Sequence, residues 1–139
     1  IMNYLMILFL FLAFNAPADN YELTLSIDNI KEAKGTIEVG VFNTTDGFLE
    51  EGKAFKTYSI PVNGKTITYT IKDLPEGNYA ISMFQDKNTD GKCNLNFIGI
   101  PKEPYGFSNN FKPKFSAPSF KDCSFSLISD KTLNINLID

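Results

Sequence analysis

From Tyr21 onward, apolar residues recur at every second position, and that periodicity constrains the fold more than any other feature of the chain. Tyr21, Leu23, Leu25 and Ile27 alternate with Glu22, Thr24, Ser26 and Asp28. Successive side chains of a strand point to opposite sides, so this is a strand with one face in a core and one in water. The pattern returns within Thr36 to Phe42 (Ile37, Val39, Val41), at Tyr58, Ile60 and Val62, at Ile67, Tyr69 and Ile71, and within Tyr79 to Gln85. After a long interruption it appears twice more, at Cys123 to Ile128 and Thr132 to Ile138, where Phe125, Leu127, Leu133, Ile135 and Leu137 face inward. The connections are polar and rich in Gly, Asn, Asp and Pro. Asn63-Gly64, between the runs Thr57 to Val62 and Lys65 to Lys72, predicts a hairpin, because both residues tolerate the positive φ of a type I′ turn. Phe48 to Phe55 reads equally as a loop or one helical turn. Seven short strands and no convincing helix predict an all-β fold, a seven-stranded antiparallel Greek-key β-sandwich.

A chain of 139 residues suits one domain. Tyr4 to Phe14 is an apolar run too short to cross a bilayer comfortably, and Ala16-Pro17-Ala18 places small residues where a signal peptidase cuts. Residues 1–18 are therefore expected to be a secretory signal and 19–139 the domain, exported to the periplasm, the outer cell surface or the medium, with no membrane span after cleavage. A retained anchor is the alternative, because no Lys or Arg precedes the apolar run. The 13 basic residues are all Lys, against 16 acidic ones, for a net charge of -3. No basic run tracks a phosphate backbone, which argues against nucleic acid as a partner. The absence of His removes the commonest general base and a principal zinc ligand. Cys93 and Cys123 are either a single disulfide or two small buried side chains.

The long interruption, Asp86 to Asn110, is where local chemistry departs from scaffold. Its first half reads Asp86-Lys-Asn-Thr-Asp-Gly91. Calcium takes six to eight oxygens, and a short loop supplies them when oxygen-bearing side chains alternate and a Gly allows a sharp turn. Asp86, Asn88 and Asp90 meet that demand, with the Lys92 carbonyl and the Asn94 side chain as further candidate ligands. An EF-hand would need Glu where this chain has Phe97, so no EF-hand is expected, and any calcium affinity should be of the weak extracellular class. The competing reading is a metal-free connection whose Asp and Asn side chains cap their own backbone. Asp86 and Asp90 as an acid/base pair is a third and poorer reading, since no apolar wall or oxyanion donor accompanies them.

Leu74-Pro-Glu-Gly-Asn-Tyr-Ala80, Asp86-Lys-Asn-Thr-Asp-Gly-Lys92 and Gly99-Ile-Pro-Lys-Glu-Pro-Tyr-Gly-Phe-Ser-Asn-Asn110 resemble, in order and spacing, the motifs of the DUF2141 family, exported bacterial proteins of unknown function. The resemblance covers roughly Tyr21 to Asp139. It implies a transthyretin-like or Cna-B-like sandwich and an Asp-rich loop at Asp86, Asn88, Asp90 and Gly91. This chain departs from the family pattern at Asn94, where members usually carry an acid, and at Cys93, where they carry an apolar residue.

In the second half of the interruption, Tyr105, Phe107, Ser108, Asn109 and Asn110 form an aromatic and amide set that can line a carbohydrate or peptide groove. The same residues can instead pin a long loop to the sandwich. The functional expectation is an exported, non-enzymatic, monomeric binding or accessory module for a protein or cell-surface polymer, with a weak structural calcium loop. A purely structural calcium-stabilised domain is the alternative. A hydrolase using Ser108 or Cys93 with a Lys base is a distant third, since neither lies in a recognised nucleophile context.

Overall fold

The computed structural model describes residues 19–91 and 103–139; the expected signal segment, Lys92, Cys93 and Asn94 lie outside them. Eight strands are present among the described residues: β1 (Asn20–Asp28), β2 (Thr36–Phe42), β3 (Lys56–Pro61), β4 (Ile67–Pro75), β5 (Gly77–Asp86), β6 (Tyr105–Phe107), β7 (Phe125–Leu127) and β8 (Lys131–Asn136). One helical turn, α1 (Phe120–Cys123), precedes β7. It is closed by a capping box in which the Ser119 hydroxyl accepts from the Asp122 N–H and the Asp122 carboxylate accepts from the Ser119 N–H.

The strands form two sheets, ordered β4-β1-β8 and β3-β2-β5-β6, with β7 also paired to β5. Both sheets turn their apolar positions onto one core. Leu23, Leu25 and Ile27 of β1 and Ile135 of β8 meet Ile37, Val39 and Val41 of β2 and Ile81 and Met83 of β5. The alternation read from the sequence thus places these side chains correctly, and burial of such apolar groups is the main stabilising term.

Pairing differs from expectation in three places. The Asn63-Gly64 hairpin does not form: β3 pairs with β2 and β4 with β1, in different sheets. Neither Asn63 nor Gly64 has the positive φ that a type I′ turn requires. The segment crosses between sheets instead, held by Val62 N–H to Gly35 O (3.1 Å) and Ile30 N–H to Lys65 O (3.4 Å). The sandwich is also not wholly antiparallel, since β8 runs parallel to β1 from Leu23↔Lys131 to Asp28↔Asn136. Finally, the stretch read as loop contains β6, which adds a short strand to the expected seven. Gly106 allows it, because a Cβ there would lie 2.9 Å from Ile135 Cγ2.

Gln85 is fully buried at the end of β5. Its Nε2 donates to the carbonyls of Glu32 (2.7 Å) and Lys34 (2.9 Å), fastening the β1–β2 connection beside the Asp-rich turn. A second apolar cluster, Ala80, Phe107 and Cys123, forms on the outer face of the larger sheet, with Phe48, Phe111 and Phe120 packed against it.

Candidate functional site

The Asp-rich turn begins where β5 ends. Asp86, almost fully buried, accepts from Asp90 N–H at Oδ1 (3.2 Å) and from Gly91 N–H at Oδ2 (2.7 Å). Asn88 Oδ1 also accepts from Asp90 N–H (3.3 Å), and its Nδ2 donates to Asp90 Oδ2 (3.1 Å). Gly91 takes φ +74 with nothing within 4 Å of the Cβ it lacks, so Gly is needed here for conformation and not for space. This is an Asx-type turn organised around one carboxylate.

Glu103 then arrives from beyond the interruption. It is 8% exposed and its Oε2 accepts from Lys87 N–H (2.7 Å), while the neighbouring Pro104 carbonyl accepts from Gln85 N–H (2.8 Å). One carboxylate oxygen each from Asp86, Asp90 and Glu103 therefore lies within 4.8 Å of the others. Calcium holds oxygens at about 2.4 Å, so ligands on opposite sides of an ion sit about 4.8 Å apart. The three oxygens are close enough together to share one calcium ion. The donors are hard oxygens, with the Asn88 carbonyl beside them, which is calcium chemistry and not that of zinc or copper. The Lys87 ammonium is engaged at 3.5 Å by Glu32, whose carboxyl is held below its ordinary range by the hydrogen bond from Lys34 first, by that ammonium's charge next and by the Lys87 contact last.

Of the five ligands expected from the sequence, Asp86, Asn88 and Asp90 are together, and Lys92 and Asn94 lie outside the described residues. Glu103 was not among them. It is 17 positions from Asp86, beyond the reach of any local spacing rule; its signal is an isolated acid between Pro101 and Pro104.

The residues expected to bind a ligand divide. Ser108 is fully buried; its hydroxyl accepts from Ile81 N–H (2.9 Å) and donates to the Cys123 carbonyl. Asn109 Nδ2 donates to Ser124 O (2.9 Å), and Asn110 brackets β8, accepting from Asn136 N–H (2.9 Å) and donating to Asn134 O (3.1 Å). These three hold the fold together. Tyr105 and Phe107, edge to face at 5.9 Å, instead line an open groove of about 1240 Å³ on the outer face of the larger sheet. Cys123 is a buried thiol with no disulfide partner among the described residues, and Cys93 lies outside them; its pKa is pushed up to about 11 by burial first and by Asp122 second, which disfavours a thiolate nucleophile near neutral pH.

Fold and site together define an all-β protein of two sheets with an acidic turn at one strand end. A family model described as an uncharacterized protein conserved in bacteria, DUF2141, matches residues 25–136, and the chain belongs to that family. No curated protein and no solved structure matches it. No helix among the described residues is long and apolar enough to cross a membrane.

Proposed function

We propose that this chain is an exported, non-enzymatic β-sandwich binding or accessory module whose Asp-rich turn is closed by a structural calcium ion. The observation that carries the reading is the convergence of Asp86, Asp90 and Glu103 from either side of the 92–102 segment, two of them buried, close enough to share one ion. The ion would join the end of β5 to the start of β6, and its chemistry would be structural. Export rests on the apolar leader. A transthyretin-like or Cna-B-like topology rests on the family resemblance and is tested by comparing an experimental structure with such sandwiches.

Thermal melts in calcium and in chelator test the ion. At about 10 mM calcium and a Kd of about 1 mM, binding to the folded state alone adds about 1.4 kcal/mol, several degrees of Tm. Glu103→Gln is expected to abolish the shift. A midpoint that ignores calcium sinks the ion and favours the second reading, a metal-free turn, which is supported by the main-chain N–H groups that Asp86 already satisfies.

A further inference from the structure

We infer that the groove on the outer face of the larger sheet binds an oligosaccharide that carries amino sugars, which names a ligand class for the binding module proposed above and rests on that reading. The floor is built by register. Thr57, Gly40, Ser82 and Phe107 form one row across β3, β2, β5 and β6, and Ser59, Glu38, Phe84 and Tyr105 form the next. At the centre of the first row Gly40 has no side chain, and the Phe42 ring lies over it, Cε2 being 3.0 Å from where a Cβ would stand. Around this floor runs an open groove walled by Leu49 to Gly52, Ala54 and residues 113–118. Its volume of about 1240 Å³ exceeds the usual range of about 300–1,000 Å³ for small-ligand sites, so it accommodates several sugar units in place of one.

The lining chemistry narrows the occupant. Phe84 and Tyr105, both half-buried, present rings along one side, while Phe107 is buried in the second apolar cluster. At the rim, Phe115 is fully exposed, an apolar ring available to an occupant. Three carboxylates, Glu38, Glu50 and Glu51, face one ammonium, Lys114. That balance favours an occupant with positive charge and repels uronates, phosphates and nucleic acid. Glu38 is held in position by the hydroxyls of Thr36 (2.8 Å) and Ser59 (2.7 Å), both donating to Oε1.

The remaining question is sugar or peptide, and the sheet answers it. β2 is paired on both edges, to β3 and β5, and β5 to β2 and β6, so the main-chain groups of the floor are occupied within the sheet. An extended peptide lying there would bury its own N–H and C=O groups without partners, which is unfavourable. A sugar's hydroxyls need partners too, and here side chains can supply them. Its C–H faces stack on the rings, its hydroxyls meet Thr57, Ser82 and the carboxylates, and its ammonium groups meet the acidic balance.

The test is calorimetric titration of the full chain at pH 6 and low salt with four probes: a glucosamine tetramer, its N-acetylated counterpart, a galacturonic acid tetramer and a lysine-containing hexapeptide. The glucosamine tetramer is expected to bind about tenfold tighter than the N-acetylated one, and the uronate not at all. Phe115→Ser, at an exposed position, should weaken binding about three- to tenfold. Glu50→Gln with Glu51→Gln should erase most of the preference for free amines while leaving the melt unchanged. Absence of glucosamine binding, equal uronate binding, tighter peptide binding, or indifference to these substitutions overturns the assignment. Each probe is run in calcium and in chelator. A calcium-shifted melt without sugar binding rejects the groove assignment alone, and sugar binding without a calcium shift rejects the ion alone.

Discussion

Ser108 and Cys123 show how single side chains of the 103–123 region serve the scaffold. The Ser108 hydroxyl satisfies one N–H and one carbonyl that are both sealed from water. Ser108→Ala strands both, which should destabilise the fold by about 1–3 kcal/mol, read as a lower denaturation midpoint with an unchanged m-value. Cys123 makes a pH prediction. Its thiol is raised to about 11 from 9.0, by burial first and Asp122 second, so the folded state retains a proton that the unfolded chain releases at lower pH. Stability from this group is fully present below pH 9 and is lost as pH rises through about 11. The loss is on the order of 1–3 kcal/mol. Burial raises Tyr58 and Tyr79 in the same direction. Cys123→Ala should therefore flatten part of the decline in stability between pH 9 and 11 while leaving the tyrosine part. An unchanged slope would refute a buried thiol as its source.

At the scale of elements, the alternation made the inward face of every long strand legible, because burial follows a period of two whatever the neighbour. It could not reveal which strands pair, since a face-in pattern is the same in either sheet. Asn63-Gly64 illustrates the difference: its local hairpin preference yields to the placement of β3 and β4 on opposite sheets. The candidate site was legible to the same depth. Asp86, Asn88 and Asp90 are local and were visible as a spacing, whereas Glu103 reaches them only because β6 returns along β5. Two glycines test this account. Gly64 lacks positive φ, and a Cβ there would meet only Thr66 O, at 3.7 Å; Gly64→Ala should be neutral or stabilising by about 0.4–1 kcal/mol. Gly35 has φ +69, and a Cβ would lie 2.0 Å from Asp86 O. Gly35→Ala should cost on the order of 3 kcal/mol and weaken any calcium-dependent Tm shift, because it displaces Asp86. A hairpin turn at Asn63-Gly64 would instead make Gly64→Ala destabilising.

At the scale of the molecule, the C-terminal strand closes the fold. β8 pairs in parallel with β1 across more than 100 positions of sequence. Its end is stitched to the other sheet by Tyr105 N–H to Ile138 O (3.0 Å) and Ile138 N–H to Tyr105 O (2.7 Å). Asn110 brackets the same strand, and Asn29 Nδ2 donates to Leu137 O (2.6 Å). One side of the sandwich is thereby seamed, while β3 and β4 remain edges on the other. Such pairing is non-local, so the entropy of bringing the ends together is met before the contacts that reward it, and folding on a millisecond-to-second scale follows. Deleting Lys131–Asp139 removes Ile135 and Leu137 from the core, about 1.5–3 kcal/mol each, and opens one edge of β1. Against a total stability of about 5–15 kcal/mol, the further loss of the seam should leave no cooperative unfolding transition. The expected result is a chain that binds a hydrophobic dye and gives no two-state melt. A truncated chain that still melts cooperatively would mean that β1 and β4 suffice to cover the larger sheet, and that β8 is an accessory edge and not the closure.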